Sequence, residues 1–492
     1  MRTALTDNVA KFLKAPINHY FDGKFLPSTD DATFHVVNPS DGSTLAEVAW
    51  GGAAEIGAAI GAGAKAFPAW SALAAADRAA RLHRLAEHLD QHAADLALLE
   101  SLDVGKAITA AEGFDVPFGI ECLRYFANLS AQAVCDLPLA IKNIEARRHL
   151  APYGVCGFIF PWNFPFTLLL WGIAPALAAG NTVVVKPSEV TPLSTLYFAQ
   201  LAAEAGIPAG VINIVCGDGS AGAALAAHPQ IKRISFTGSP GVGRKIGEVC
   251  GRNLVPCKLE LGGKGAAVIF EDADAAATAQ ALAGAITLNT GQVCCTATRW
   301  LVHEAIYDAF VEKAVAALKQ TKIGPGTDRA TQMGPVVSET QRRRITGYLT
   351  RGEEEGAQLV LAGGTAAPRG SEGGFYVQPS LLAGSPDNVC CREEIFGPTA
   401  FLLKFRDESA AVRMVNELAY GLANSVWSAD LSRANRVAEQ MVAGNSWINA
   451  HNVFAYGLPY GGVNLSGLGG GVNSPDTFRD YLRAQTIARP LG

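Results

Sequence analysis

This sequence predicts an α/β fold built on a doubly wound parallel sheet, and three features carry that reading. Short apolar, β-branched runs bounded by Gly and Pro recur at 155–160, 182–185, 211–215 and 231–236, the pattern of strands buried on both faces. Helix-period segments alternate with these runs almost throughout, as crossovers between parallel strands require. At 492 residues, the chain is also too long for one average domain and suggests two or three.

Taken in order, the helical pattern at 79–102 carries Leu82, Leu85, Leu89, Leu96 and Leu99 as a stripe that must pack on something. His88 and His92 lie one turn apart on it, a spacing able to bind metal. His92 falls on the apolar stripe, however, and no third ligand is visible, so no metal is expected. A polar–apolar alternation that starts near Leu139 and ends in Arg147-Arg148-His149 reads as an exposed ribbon, and the tail 478–487 is similar. Such edges are often covered by another subunit. The stretch 164–185 carries no charge and is long enough to span a bilayer. Pro175 and Gly180-Asn181 cut it into a short helix and the strand 182–185, so a buried βα unit is expected. A second set of elements begins near Cys257: a strand at 266–270, an Ala-rich helix at 275–288, a strand at 300–302 and a helix at 306–320.

Composition narrows the class. Hydrophobic residues make up 49% and charged residues 17%, a globular balance with a large core. Net charge is −5 and the basic residues are scattered, so no nucleic-acid footprint is present. Ten cysteines over this length form no dense disulfide framework, and the start Met1-Arg2-Thr3-Ala4-Leu5 lacks an apolar targeting segment. A reducing cytoplasm is the expectation.

Four segments place one polar side chain in a Gly/Pro-fixed setting. In Thr290-Gly291-Gln292-Val293-Cys294-Cys295 a cysteine pair follows a glycine that ends one helix, and the cysteines begin the next element. Cys294 could use its own N–H as an oxyanion donor, and no histidine nearby in sequence offers a base. Pro161-Trp162-Asn163-Phe164-Pro165 holds an amide at the end of a buried strand, suited to a developing oxyanion or to an N-cap. Glu260, before Gly262-Gly263, reads as a general base in a partly apolar site or as a surface strand end. Glu394-Ile395-Phe396-Gly397-Pro398 is a fourth such segment. Lys186-Pro187-Ser188-Glu189 can hydrogen-bond ribose hydroxyls or simply start a helix. Phe236-Thr237-Gly238-Ser239-Pro240-Gly241 is a strand-to-helix turn that would let backbone approach a phosphate.

Together with Pro459-Tyr460-Gly461-Gly462 and Ser466-Gly467, these motifs resemble, in order, those of the NAD(P)-dependent aldehyde dehydrogenase superfamily, from about residue 20 to 487. The resemblance implies that Cys294 is the nucleophile, Glu260 the general base and Asn163 the oxyanion donor. It implies cofactor contacts at Lys186 and Glu189 (adenosine ribose), Ser239 (pyrophosphate), and Glu394 with Phe396 (nicotinamide ribose). Trp162, Phe160, Ser188, Gly217, Phe236, Gly238 and Leu261 complete the expected cofactor set. Phe164, Leu168, Trp171, Val293, Cys295, Phe454 and Tyr460 are implied near the substrate. Three departures stand out. Tyr460 takes the place of a usual Phe, Gly172 that of a frequent Lys, and Gly469-Gly470-Gly471 that of Gly-Arg-Glu.

The expected organisation is an NAD-binding domain at 1–256 with the 128–150 oligomerisation ribbon inserted, and a catalytic domain at 257–455. Residues 456–492 then return to the cofactor domain and close on an oligomerisation segment. The expected activity is oxidation of an aldehyde to a carboxylic acid with NAD, NADP being the alternative, through a Cys294 thioester hydrolysed by water that Glu260 activates. An apolar, aromatic substrate set without arginine favours an uncharged aromatic or medium aliphatic aldehyde. The alternatives are a betaine- or aminoaldehyde dehydrogenase and a cysteine esterase without redox function. A homodimer or homotetramer is expected, with no membrane or nucleic-acid partner.

Overall fold

The computed structural model describes residues 3–14 and 16–491. Its first sheet has eight strands in the spatial order Lys24–Leu26, His19–Phe21, Ile212–Ile214, Thr182–Lys186, Val155–Ile159, Ile231–Thr237, Cys257–Glu260, Gly467–Leu468. The five from Ile212–Ile214 to Cys257–Glu260 run parallel, and the flanking strands pair antiparallel with them. Every residue of Val155–Ile159 and Thr182–Lys186 is buried, which is why these strands read as unbroken apolar runs and not as alternations. From the central strand Val155–Ile159 the chain winds outward to one side, then crosses over to Ile231–Thr237 on the other. A crevice opens at the carboxyl ends of the strands flanking such a switch, where α/β sheets bind ligands.

The helix Pro165–Ala178 follows the central strand with Pro165 in its first turn, and every residue except Leu168 is buried. A helix apolar all round needs cover on all sides; Val116–Gln132 and Leu193–Glu204 pack against it. Pro175 does not end it, contrary to expectation. The stop comes at Gly180, whose φ of +96° is left-handed and whose N–H bonds the Leu177 carbonyl at 3.0 Å. Among the described residues no helix is long and apolar enough to cross a membrane.

The single helix expected at 79–102 is two, Ala75–Gln91 and Ala93–Val104, broken at His92. The His92 ring is held by Asp95 at 3.3 Å and Tyr197 at 3.4 Å, while His88 pairs with Glu204 at 3.1 Å. Leu82, Leu85, Leu89, Leu96 and Leu99 are all buried across the break. Leucine spacing alone does not reveal it.

The second sheet, in the order Gln358–Leu361, Ser380–Ala383, Thr399–Phe405, Ala297–His303, Gly265–Ile269, Ala423–Trp427, Asn445–Ile448, is parallel except at its first edge. A third sheet of Leu482–Pro490, Ile144–Pro152 and Asp136–Ile141 is the antiparallel ribbon. It starts later than the expected 128, because the helix Val116–Gln132 runs into that span. The two large sheets are joined directly. Strand Cys257–Glu260 passes through Leu261-Gly262-Gly263-Lys264 into strand Gly265–Ile269, so the carboxyl edge of one sheet faces the amino edge of the other. A Cβ on Gly263 would lie 2.3 Å from the Cys294 carbonyl oxygen; glycine is what lets the two sheets meet there.

Candidate active site

The approach to Cys294 is tightly held. Asn289, Thr290 and Gly291 take left-handed φ values of 46°, 57° and 72° in succession. That region is costly for a β-branched residue, and Thr290 is held in it by hydrogen bonds from its hydroxyl to the Gly334 and Pro335 carbonyls at 2.9 and 3.2 Å. The Gln292 amide is fully engaged in the interior: it donates to the Asn289 carbonyl at 2.9 Å and accepts from the Val337 N–H at 2.9 Å. The cysteines therefore lie in a turn and do not begin the next element, a strand that starts at Ala297.

Cys294 is half-buried and lines a cavity of about 280 Å³ between the sheets. Its Sγ lies 3.5 Å from the Tyr460 hydroxyl, whereas the Cys295 Sγ turns to Asn452 Oδ1 at 3.4 Å. The hydrogen bond with Cys295, then burial, hold the Cys294 thiol well above its ordinary range; it ionises only when a base or a positive charge is brought to it. His451, unforeseen in sequence, is close by. Its Nε2–H donates to the Cys295 carbonyl at 2.9 Å and its Nδ1 accepts from Ser425 at 3.1 Å. Burial lowers it to about 4, so it is a neutral brace for the turn.

Asn163 is buried at 3% exposure. It does not cap the helix that follows, whose N-cap is Phe164. Its Nδ2 donates to the Gln292 carbonyl at 2.9 Å, and the amide's second N–H is free to face the cavity. Glu260 is buried rather than at the surface, with 8% exposure, and no side chain hydrogen-bonds either carboxylate oxygen among the described residues. Burial raises its pKa well above the carboxylate range, and Lys258 opposes the rise.

The expected cofactor residues divide into two groups. Phe160, Trp162, Gly238, Ser239, Leu261, Glu394 and Phe396 line the same cavity as Cys294. Lys186, Ser188, Glu189, Gly217 and Phe236 are not in its wall; Lys186 ends its strand, Phe236 stands one residue before the end of Ile231–Thr237, and the others follow strands at the same sheet edge. Lys186 pairs with half-exposed Glu189 at 3.1 Å, the Ser188 hydroxyl accepts from the Val190 N–H at 3.2 Å, and Phe236 is core. The helix Pro240–Asn253 opens with Ser239 as its N-cap, the hydroxyl accepting from the Val242 N–H, and the positive end of the helix suits a phosphate. Glu394 accepts from the Gly263 N–H at 2.8 Å, and burial raises it to about 7. Phe396, at φ +63°, sets its ring edge-on to Trp162 at 5.3 Å. Two carboxylates, Glu189 and Glu394, and the start of the helix Pro240–Asn253 have the chemistry that the ribose hydroxyls and phosphates of a dinucleotide would need.

All seven expected substrate residues, Phe164, Leu168, Trp171, Val293, Cys295, Phe454 and Tyr460, line the cavity. The Trp171, Phe454 and Tyr460 rings meet at 5.4 to 6.0 Å. Phe114, Leu288 and Val472 also belong to the wall and were not foreseen. Phe114 lies in a single π-helical turn, 111–115, which local periodicity does not reveal.

A cavity-lining thiol at the junction of two α/β sheets, beside the strand-end crevice of the first, is an arrangement suited to a cysteine-dependent oxidoreductase. The comparisons agree. The chain matches the aldehyde dehydrogenase family over residues 25–487. It is 40% identical over 462 residues to the betaine aldehyde dehydrogenase of Mesorhizobium japonicum, covering 92% of this chain and 93% of that protein. It is 38% identical over 468 residues to the phenylacetaldehyde dehydrogenase of Pseudomonas fluorescens, covering 93% of each. The NAD+ complex of an aldehyde dehydrogenase from Bacillus cereus superposes with a TM-score of 0.97 at 34% identity, over 100% of both chains. This chain belongs to the aldehyde dehydrogenase family, and a nicotinamide dinucleotide is its cofactor.

Proposed function

We propose that this protein oxidises an uncharged aromatic or medium aliphatic aldehyde to its carboxylic acid, using NAD. The observation that carries the reading is that Cys294, Asn163 and Glu260, widely separated in sequence, line one cavity with the expected nicotinamide-side residues. The Cys294 thiolate adds to the aldehyde carbon, and the new oxyanion is held by the Asn163 Nδ2–H and the Cys294 N–H. When bound, the nicotinamide accepts hydride from that carbon, leaving a thioester on Cys294. Glu260 takes a proton from water as the water attacks the thioester, the C–S bond breaks, and the carboxylic acid leaves. The burial that raises Glu260 suits a base working near neutral pH.

Glu189 supports NAD over NADP: a carboxylate accepts from both ribose hydroxyls and repels a 2′-phosphate. Its partner Lys186 is already engaged with it at 3.1 Å. The aromatic part of the cavity wall, Phe164, Trp171, Phe454 and Tyr460, supports the substrate class, since an apolar ring buried against it gains by leaving water. The meeting rings of Trp171, Phe454 and Tyr460 favour one second reading, an aromatic box for a quaternary ammonium such as betaine aldehyde. All ten cysteines are free, which supports a reducing compartment, the cytoplasm. The exposed apolar residues Leu137, Ile141, Ile144 and Ile487 of the ribbon support a homo-oligomer that covers them.

The test is rapid mixing of enzyme, NAD and phenylacetaldehyde. A burst of about one NADH per site followed by a slower steady state is expected, and Glu260→Gln should slow the steady state more than the burst. NADH production without carboxylic acid release, or no NADH at all, would overturn the reading.

A further inference from the structure

We propose that Lys258 is a positioning residue for the hydrolytic step, its ammonium keeping Glu260 ionised inside a largely apolar cavity. The inference rests on the reading of Glu260 as the base. Lys258 and Glu260 stand two residues apart on strand Cys257–Glu260, so their side chains leave the same face, and both line the cavity. Lys258 is 1% exposed. A buried lysine needs compensation, and little is present: among the described residues its one hydrogen bond is to the Gly471 carbonyl at 3.5 Å, with the Tyr481 ring 5.5 Å away.

The surrounding charges leave Lys258 and Glu260 to each other. The groups that act on Lys258 are Glu260 on its own strand, Arg233 on the adjacent strand Ile231–Thr237, Asp480 after the helix Pro475–Arg479, and the Cys122 thiol on the helix Val116–Gln132. Asp480 already pairs with Arg233 at 3.6 Å. Glu260 feels Lys258, the Cys294 thiol and the backbone N–H of Gly462, and no side chain hydrogen-bonds its oxygens among the described residues. Burial pulls Lys258 down to about 8, against the pull of Glu260. Burial pushes Glu260 up, against the pull of Lys258. Each group favours the charged form of the other and so opposes the effect of burial.

Two of the glycine departures explain how this cation comes to stand there. A Cβ at Gly471 would lie 2.3 Å from the Tyr460 carbonyl oxygen, so only glycine lets that segment pass close and turn its carbonyl toward Lys258. A Cβ at Gly172 would lie 2.5 Å from the Phe160 ring, so no side chain from that position reaches the cavity unless Phe160 moves. Lys258 supplies a positive charge that neither position provides.

The sign of the effect is definite. Glu260 must be ionised to take a proton from water, so removing the neighbouring positive charge raises its pKa and moves the acid limb of hydrolysis to higher pH. Acyl-Cys294 formed from p-nitrophenyl acetate isolates this step in the full-length enzyme, because the nitrophenolate burst reports acylation and the steady rate reports hydrolysis. Lys258→Met should keep the burst, shift the acid limb upward by about one pH unit or more, and slow hydrolysis about tenfold below it. Lys258→Arg, which keeps the charge, should hold the limb near that of wild type. A Lys258→Met limb unmoved from wild type, or an equal shift in both variants, overturns the inference. Should Lys258→Met not fold, Lys258→Gln replaces it with the same expectations. A wild-type enzyme that gives neither this burst nor NADH from aldehyde would sink the reading of Cys294 and Glu260 itself, a result distinct from an unmoved limb.

Discussion

Cys294 and Cys295 are neighbours in sequence with different surroundings. The first faces the cavity and Tyr460; the second turns to Asn452. Cys294→Ala should therefore abolish NADH formation, while Cys295→Ala should change KM and leave turnover measurable. Activity in the Cys294 variant together with loss in the Cys295 variant would reverse their roles. Glu189 is a second residue whose charge carries a prediction. With a half-exposed carboxylate paired to Lys186, kcat/KM should be higher for NAD than for NADP, and Glu189→Gln should narrow the difference by removing the repulsion of a 2′-phosphate. A larger value for NADP in the wild type would contradict this. None of these side chains needed the fold to be noticed, because each sits in a motif. Lys258 and His451 did: their significance depends on burial and on partners far away in sequence.

At the scale of elements, the segment that delivers Cys294 is shaped by backbone more than by side chain. Gly291 has φ +72°, and a Cβ there would lie 2.2 Å from the Gly397 carbonyl group. Both the conformation and the space require glycine. Gly291→Ala should cost about 3 kcal/mol or more in urea unfolding, the range of backbone strain combined with overpacking. A variant as stable as wild type would show that the turn relaxes freely. The ribbon is the opposite case, an element with exposed apolar residues and little to cover them within the chain. Light scattering should give a mass of at least two chains, and Ile141→Asp combined with Ile487→Asp should lower it. An unchanged mass would place the subunit contact elsewhere. The break at His92 belongs to this scale too. Leucine periodicity continues across it, so the pattern reads as one helix, and only the contacts of His92 with Asp95 and Tyr197 mark the break.

For the whole molecule, substrate choice follows from how the two sheets close on the cavity. Filling it with an aromatic ring buries apolar surface worth roughly 1.5–3 kcal/mol for a side-chain-sized group, so phenylacetaldehyde should exceed betaine aldehyde in kcat/KM under matched conditions. A betaine aldehyde advantage of tenfold, about 1.4 kcal/mol, would favour the aromatic box instead. Much of this molecule was legible in its residues. Unbroken apolar runs foretold a parallel sheet, because strands covered on both faces have no polar side to show. The ordered motifs identified the family, because a nucleophile, an amide donor and a carboxylate in Gly/Pro-fixed settings have few other uses. Tertiary structure alone decided what surrounds them. It added Phe114, Leu288 and Val472 to the cavity wall, made His451 a neutral brace, and brought the charges of Lys258 and Glu260 into one cavity. The physical reason is range. Propensity and periodicity act over a few residues and are written along the chain, whereas burial and charge pairing depend on which distant segments the fold brings together.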